Sequence, residues 1–197
     1  MATTGAYPVQ LIVGLGNPGS KYTRTRHNAG ADFVAELAKS VACDLREESR
    51  FSGLTARTTI NDHDIRLLIP TTFMNLSGKS VAAMASFFRI PVENILVAHD
   101  ELDLDPGTAR FKLGGGHGGH NGLRDIVSAL GNHTTFARLR IGIGHPGHAS
   151  QVTGYVLSKA PSDQQQQIDN AISAAIRTLP LAVAGNWQQA MTELHSQ

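Results

Sequence analysis

The stretch Thr108-Ala-Arg-Phe-Lys-Leu-Gly-Gly-Gly-His-Gly-Gly-His-Asn-Gly-Leu-Arg-Asp-Ile-Val-Ser-Ala-Leu130 sets the pattern of the whole chain. Residues 108–113 predict an apolar strand, residues 123–130 predict an amphipathic helix, and six of the nine residues from Gly114 to Gly122 are glycine. Glycine lets the backbone approach another molecule closely, and N–H groups at the start of a helix favour an anion or an oxyanion. A flexible connector is the alternative, but connectors favour Ser and charged residues over paired histidines. We therefore expect this glycine loop to contribute to a binding or catalytic site.

The same alternation of strand and helix extends in both directions from this unit. Strands are predicted at 10–15, 51–59, 65–69, 94–98, 108–113 and 138–143, and helices at 28–41, 80–88, from 123 onwards and at 162–178. The strands at 51–59 and 65–69 flank a polar turn, so they predict an antiparallel pair. The last helix carries only a thin apolar stripe, and Ser162 is its N-cap candidate.

These elements predict a single α/β domain over residues 1–197, with a mixed, partly parallel β-sheet flanked by helices on both faces. Residues 1–7 are expected to form a ragged N-terminal extension, and residues from about 162 to 197 a C-terminal helical segment. No change in composition along the chain indicates a domain boundary.

Composition restricts the class of protein and its compartment. The chain is 41% hydrophobic and 17% charged, which is typical of a globular protein, and no apolar run approaches the roughly 20 residues of a membrane span. Its single cysteine, Cys43, excludes an internal disulfide framework and fits a reducing compartment. The formal net charge is +1, so any nucleic-acid site must come from local clustering. We expect a cytoplasmic protein without membrane association.

Two motifs match cofactor or metal patterns only formally. Gly14–Gly19 fits the G-x-G-x-x-G dinucleotide fingerprint, but Pro18 delays the following helix and the expected acidic residue, Glu36, lies inside a helix pattern. His117 and His120 lie three residues apart, but neither an H-E-x-x-H motif nor a nearby cysteine completes a zinc site. The sequence therefore predicts neither a cofactor nor a metal.

Five polar residues lie at predicted strand ends or at the start of the first helix, the edge where α/β sheets bind ligands. They are Asn17, His27, Asn75, Asp100 and Asn121. A histidine can take a proton from water near neutral pH, and a carboxylate can fix its tautomer and stabilise the imidazolium. Neutral amides can donate to a developing oxyanion. Each residue alone has a structural alternative as a turn or cap residue, but together they favour a water-activating site.

Six ordered motifs between about Leu11 and Leu157 make the chain resemble bacterial-type peptidyl-tRNA hydrolases. The motifs are Val13–Gly19 with Tyr22, Thr25–Gly30, Pro70–Gly78, His99–Leu104, the glycine loop and Arg138–Gly147. The resemblance implies a monomeric, metal-free α/β hydrolase that cleaves the ester between a peptide and the 3′ end of tRNA, so that peptidyl-tRNA from stalled ribosomes is recycled. The match weakens after about Pro161, where that family carries a mobile lid helix.

By position, the resemblance also assigns roles to individual residues. It implies that His27 is the base, that Asp100 holds it in its basic form and that Asn17 recognises the peptide. The channel for the tRNA end and the peptide is expected to include Tyr22, Phe73, Asn75 and Asn121. A clamp for the tRNA 5′-phosphate is expected from Arg110, Lys112 and Arg140, with Arg110 at a position where lysine is common in the family.

Two other classes of function stay open at this point. The first is an NAD(P)-dependent oxidoreductase that uses the Gly14–Gly19 motif. The second is a non-catalytic RNA-binding module that uses basic strand faces. Arg110 and Lys112 alternate with Phe111 and Leu113, so the two cations share one face whether or not they bind RNA.

Overall fold

A seven-stranded β-sheet forms the centre of the computed structural model, which describes residues 7–196. Its strands are β1 (Leu11–Gly14), β2 (Arg46–Glu48), β3 (Gly53–Ile60), β4 (His63–Pro70), β5 (Ile95–Glu101), β6 (Ala109–Leu113) and β7 (Ala137–Gly142). Their order across the sheet is β2-β3-β4-β1-β5-β7-β6. The four central strands, β4, β1, β5 and β7, are parallel, whereas β2 and β3 on one side and β6 on the other pair antiparallel. The predicted mixed, partly parallel sheet is confirmed.

Helices cover both faces of this sheet, as predicted. They are α1 (Ala29–Ser40), α2 (Ser77–Phe87), α3 (Asn121–Ala129), α4 (Val152–Val156), α5 (Ser162–Val183) and α6 (Trp187–His195). The apolar residues of α1, α5 and α6 belong to the core on one face, and those of α2 and α3 belong to the core on the other. Within residues 7–196, no helix is long and apolar enough to cross a membrane.

The last part of the chain differs from its prediction. Pro161 occupies the N-cap position of α5 without any side-chain cap, and Ser162 is the first helical residue, so the N-cap prediction for Ser162 is wrong. The helix also continues to Val183 and buries a wide stripe rather than a thin one. The reason is that α5 packs between α1, the sheet and α6, so its alanines face the interior together with its larger apolar residues.

The start of α1 lies against β1 and β5 because two glycines allow it. A Cβ on Gly14 would lie 2.3 Å from the Gly30 oxygen, and a Cβ on Gly30 would lie 2.1 Å from the Ala98 oxygen. This close approach places the residues just before α1 beside the end of β5. It also gives Gly14 a packing role, and the α-helix begins only at Ala29, too late for the dinucleotide fingerprint.

The N-terminal extension was expected over residues 1–7. Residues 1–6 of the expected extension lie outside the described residues. Tyr7 is exposed, and its carbonyl accepts a hydrogen bond of 3.3 Å from Trp187 Nε1 on α6. Tyr7, the last residue of the expected extension, therefore contacts α6.

Candidate active site

Asp100 lies near the end of β5 and accepts hydrogen bonds from two histidines. His27 Nδ1 lies 2.9 and 3.0 Å from its two carboxylate oxygens, and His120 Nε2 lies 2.8 Å from one of them. The Asp100 side chain is only 3% exposed. Burial raises its pKa, but the charges and hydrogen bonds of His27 and His120 outweigh this and hold that pKa well below its usual range. Asp100 is therefore ionised at neutral pH.

His27 lies in a 3₁₀ turn, Arg26–Asn28, that leads into α1. Because Nδ1 faces the Asp100 carboxylate, that nitrogen carries the proton of the neutral ring, and Nε2 is the basic atom. Burial lowers the pKa of His27, but the charge and the hydrogen bond of Asp100 raise it more, so the net shift is upward. The ring lines a cleft at the ends of the central strands, where it can meet water. This geometry suits a general base.

His120 contacts Asp100 within the candidate site, but the sequence analysis considered it only as a weak zinc ligand. It caps α3: its Nδ1 accepts hydrogen bonds of 3.1 and 3.3 Å from the backbone N–H groups of Gly122 and Leu123. Its Nε2–H therefore points to Asp100, and the neutral tautomer is fixed from both sides. The signal was available, because the strand-end reasoning that selected Asn121 applies equally to the residue before it.

A third histidine, His99, hydrogen-bonds to the backbone of Asp100 rather than to its carboxylate. Its Nδ1–H donates to the Asp100 carbonyl over 2.8 Å, and its ring lies 5.2 Å from the His120 ring between centroids. Burial and the neighbouring His120 lower the pKa of His99 to about 4. His99 is therefore neutral at physiological pH and adds no charge to the site.

Among residues 7–196, the side chains of His27, Asp100 and His120 form the group that could hold a metal ion. The ligand atoms of His27, Asp100 and His120 lie within 4.8 Å of one another. His117, which the sequence paired with His120 as a weak zinc option, does not belong to this group, and its Nδ1 accepts from the Gly119 N–H at 3.0 Å. His27 Nδ1 and His120 Nε2 already hydrogen-bond to the Asp100 carboxylate, and this arrangement suits proton transfer.

Asn17 follows β1 and is held on both sides by its neighbours. Its side-chain oxygen accepts a hydrogen bond of 2.8 Å from the Met74 N–H. Its backbone N–H donates to the Asn28 side-chain oxygen at 2.8 Å, and its carbonyl accepts from the Asn28 amide at 3.0 Å. With the oxygen engaged by Met74, the NH₂ group of Asn17 remains as a donor on a side chain that lines the cleft.

A cleft of about 710 Å³ brings most of the predicted site residues together. The predicted residues that line it are Asn17, His27, Phe73, Asn75, Asp100, Lys112, Asn121 and Arg140. Phe73, Asn75 and Asn121 are exposed and thus available to a large substrate. Tyr22 and Arg110 are not among the lining residues.

The glycine loop is built differently from its prediction. Gly114, Gly115, Gly118 and Gly119 have positive φ, so the path of the loop itself requires glycine. The expectation that α3 offers free N–H groups to an anion is wrong for Gly122 and Leu123, because both donate to the His120 ring. The loop serves the site by delivering His120 and Asn121 to it.

Another part of the cleft wall comes from a segment for which the sequence analysis predicted no helix or strand. Val152, Thr153 and Val156 of α4, with Leu157, line the cleft. Arg26, beside His27, holds this segment: its Nη1 donates to the Tyr155 carbonyl at 3.0 Å and to Ser158 Oγ at 2.6 Å. The described residues after Pro161 do not line the cleft, because α5 and α6 pack on the sheet.

Four basic residues form a ladder on β6 and β7. Arg110 pairs with Arg140 and Lys112 pairs with Arg138 in the sheet. All four side chains therefore extend from the same face of the sheet, as their alternation along the strands predicts. Arg140 Nε donates to Glu101 at 2.8 Å. Arg110 and Lys112 are exposed, whereas Arg138 is buried. The residues of the expected clamp therefore differ: Glu101 neutralises Arg140, whereas no ion pair within residues 7–196 includes Arg110 or Lys112.

Comparisons with known proteins identify the family of the chain. A family model described as peptidyl-tRNA hydrolase matches residues 11–197. Peptidyl-tRNA hydrolases of Pseudomonas syringae pv. syringae and Tolumonas auensis are each 61% identical over 189 residues, covering 96% of this chain and 97% and 96% of theirs. The crystal structure of the peptidyl-tRNA hydrolase of Acinetobacter baumannii matches with a TM-score of 0.92 and 52% identity over 95% of both chains. The chain belongs to the peptidyl-tRNA hydrolase family.

Proposed function

We propose that the protein hydrolyses the ester between a peptide, or an N-blocked amino acid, and the 3′ end of tRNA, and so recycles peptidyl-tRNA released from stalled ribosomes. Membership of the family supports the reaction class. The observation that carries it is the His27–Asp100 pair, joined over 2.9 Å in the wall of the cleft. This pair offers a base for water without a side-chain nucleophile.

In the proposed reaction, Nε2 of neutral His27 takes a proton from water while the water oxygen bonds to the ester carbonyl carbon. Asp100 stabilises the imidazolium that results. The tetrahedral intermediate then collapses: the bond between the carbonyl carbon and the ribose oxygen breaks, and the 3′ oxygen takes the proton from His27. The products are a free carboxylic acid and a tRNA with a 3′ hydroxyl. Side-chain amides at the cleft donate to the oxyanion.

The remaining predicted residues are assigned to substrate binding. We assign recognition of the peptide to Asn17, and contacts with the tRNA end and the peptide to Tyr22, Phe73, Asn75 and Asn121. Arg110, Lys112 and Arg140 are assigned to the 5′-phosphate clamp, which the ladder on β6 and β7 supports by placing them on one face. In this proposal the protein works as a monomer in the cytoplasm, with tRNA as its partner and with neither metal nor cofactor.

The decisive experiment follows release of the acyl amino acid from N-acetylated aminoacyl-tRNA. The parent protein should turn over, and His27→Ala should lose at least ~10²-fold of the rate while tRNA binding is retained, because a positioned base is lost. Asp100→Asn should lose less, since the imidazole remains. A His27→Ala protein within a few-fold of the parent would end this assignment, and tRNA binding without any turnover in the parent would favour the RNA-binding module.

A further inference from the structure

Arg138 is a buried cation without an acidic partner. It is 1% exposed, its guanidinium lies 4.4 Å from the Phe136 ring centroid, and its buried Nε has no hydrogen-bond partner. None of the ion pairs within residues 7–196 includes it, and burial lowers its pKa to about 10. Burying an unpaired charge is energetically costly, so the other contacts of Arg138 must compensate for that cost.

The hydrogen bonds of Arg138 go to the start of the glycine loop. Its Nη1 donates to the Gly114 carbonyl and its Nη2 donates to the Gly115 carbonyl. Both glycines have positive φ, a conformation that is easily lost without support. Arg138 therefore fixes the turn by which the chain leaves β6.

Lys112 lies against the same turn. A Cβ added to Gly115 would lie 2.9 Å from Lys112 Nζ and 3.0 Å from Arg138 Nη1, so the two cationic groups flank a single glycine. The two residues are also paired across β6 and β7, and both line the cleft. Arg140, by contrast, is compensated by Glu101 at 2.8 Å. Two neighbouring cations without a carboxylate repel one another until an anion joins them.

We propose that Arg138 is a positioning residue for RNA binding: it holds the Gly114–Gly115 turn, and through that turn it holds the Lys112 ammonium where it can bind an RNA phosphate. The inference rests on the proposed function, because it adds a member to the proposed clamp. It also shifts the main charge of that clamp from Arg140, which Glu101 neutralises, to Lys112, which Arg138 supports.

A double-mutant cycle tests the coupling. The affinity for deacylated tRNA is measured for the parent, Lys112→Met, Arg138→Met and the double variant. Arg138→Met should weaken binding roughly fivefold in the parent and less than twofold once Lys112 is Met, because its effect acts through that residue. As a matched control, Arg138→Met should weaken binding equally with and without Arg110→Met. Equal losses in the Lys112 cycle, or no loss in the parent, would overturn the proposal.

Two further measurements keep the test decisive. If Arg138→Met does not fold, Arg138→Lys is used in the same cycle, with an expected loss of roughly threefold that again disappears in the Lys112→Met background. In the free protein, exchange of the Gly114 amide, which donates to the Phe136 carbonyl at 3.1 Å, should be at least ~10-fold faster in the Arg138 variant. Unchanged exchange would overturn the positioning role.

The source of the phosphate and the reaction itself are tested separately. tRNA with and without its 5′-phosphate distinguishes a terminal phosphate from an internal one, since only a terminal contact is lost on dephosphorylation. Hydrolysis of a short N-acetyl-aminoacyl nucleotide ester reports on the reaction alone. If Lys112→Met binds tRNA like the parent, the phosphate site is overturned, whereas turnover of the short ester shows that the proposed hydrolysis stands.

Discussion

Asp100 accepts hydrogen bonds from two histidines, but the two rings differ in their ability to act as a base. Both His27 and His120 donate to its carboxylate. Nδ1 of His120 accepts hydrogen bonds from the backbone N–H groups of Gly122 and Leu123. Nε2 of His27, by contrast, remains available as a base in the cleft. Two similar His–Asp contacts therefore have different chemistry, and the difference is decided by the far side of each ring.

The pH dependence of the reaction follows from the pKa of His27. That pKa is raised above its ordinary value of 6.5, and the neutral ring is the base. On the short ester, kcat/KM should therefore rise with pH through an apparent pKa above 6.5 and then level off. In Asp100→Asn the rising part should move to lower pH, because the carboxylate that favours the imidazolium is gone. A midpoint that stays in place in this variant would contradict the role of Asp100.

A test of Asn17 can separate its two hydrogen-bonding groups. Asn17→Asp keeps an oxygen for the Met74 N–H, which lies 2.8 Å away, but removes the NH₂ donor of this cleft-lining residue. Losing this donor should weaken the transition state by ~1–3 kcal/mol for N-blocked substrates and hardly at all for free aminoacyl-tRNA, which lacks the peptide group. The measurement is the ratio of the rates on N-acetyl-aminoacyl-tRNA and aminoacyl-tRNA, with Asn17→Ala alongside. An unchanged ratio would place this discrimination elsewhere.

At the scale of elements, one arginine joins two helices that pack side by side. Arg24 donates to Asp32 on α1 at 3.2 Å and to Asp169 on α5 at 2.8 Å. Burial raises the pKa of Asp32 to about 6; Arg24 opposes this shift and Asp169 adds to it. Two carboxylates thus share one cation, and the more buried one is difficult to ionise.

This arrangement predicts how stability depends on pH. The folded pKa of Asp32, about 6, lies above its ordinary value of 3.8, so its contribution is complete below the lower value and is lost as pH rises through the higher one. Relative to Asp32→Asn, the parent should lose at most about 3 kcal/mol of unfolding free energy across this window. Urea unfolding at several pH values measures the difference. Asp62→Asn, in an exposed turn, serves as the control, and parallel pH curves for parent and Asp32→Asn would contradict the prediction.

At the scale of the whole molecule, a net charge of +1 provides little general attraction to RNA. Affinity must therefore come from a few contacts at the ladder on β6 and β7. Lys112→Met should lower the slope of log affinity against log salt by ~1, for all tRNA sequences alike, without affecting hydrolysis of the short ester. Lys39→Met, an exposed cation paired with Glu36 at the end of α1, is the matched control and should leave the slope unchanged. Equal losses on both substrates would indicate that Lys112 supports the active site or the fold.

Local pattern was sufficient for much of the architecture. Apolar runs and helical spacing reflect the immediate neighbours of each residue, so they located six of the seven strands and predicted the mixed sheet with two covered faces. The short edge strand β2 carries charged residues and was not predicted. It lacks an apolar pattern, and its pairing with β3 makes it a strand. Asn17, His27 and Asp100 could be proposed as site residues because they lie at strand ends or before a helix, which local pattern reveals, and the structure brings them to one cleft.

What the sequence by itself determined is thus the type and order of the elements and the residues at their ends. The tertiary structure alone decided the second partner of Asp100, the neutralisation of Arg140 by Glu101 and the burial of Arg138 beneath the glycine loop. Each of these depends on which strands are neighbours and in what register, and on the path of a loop with positive φ. Such contacts join residues far apart in the chain, so their energies depend on the assembled sheet rather than on any local stretch of sequence.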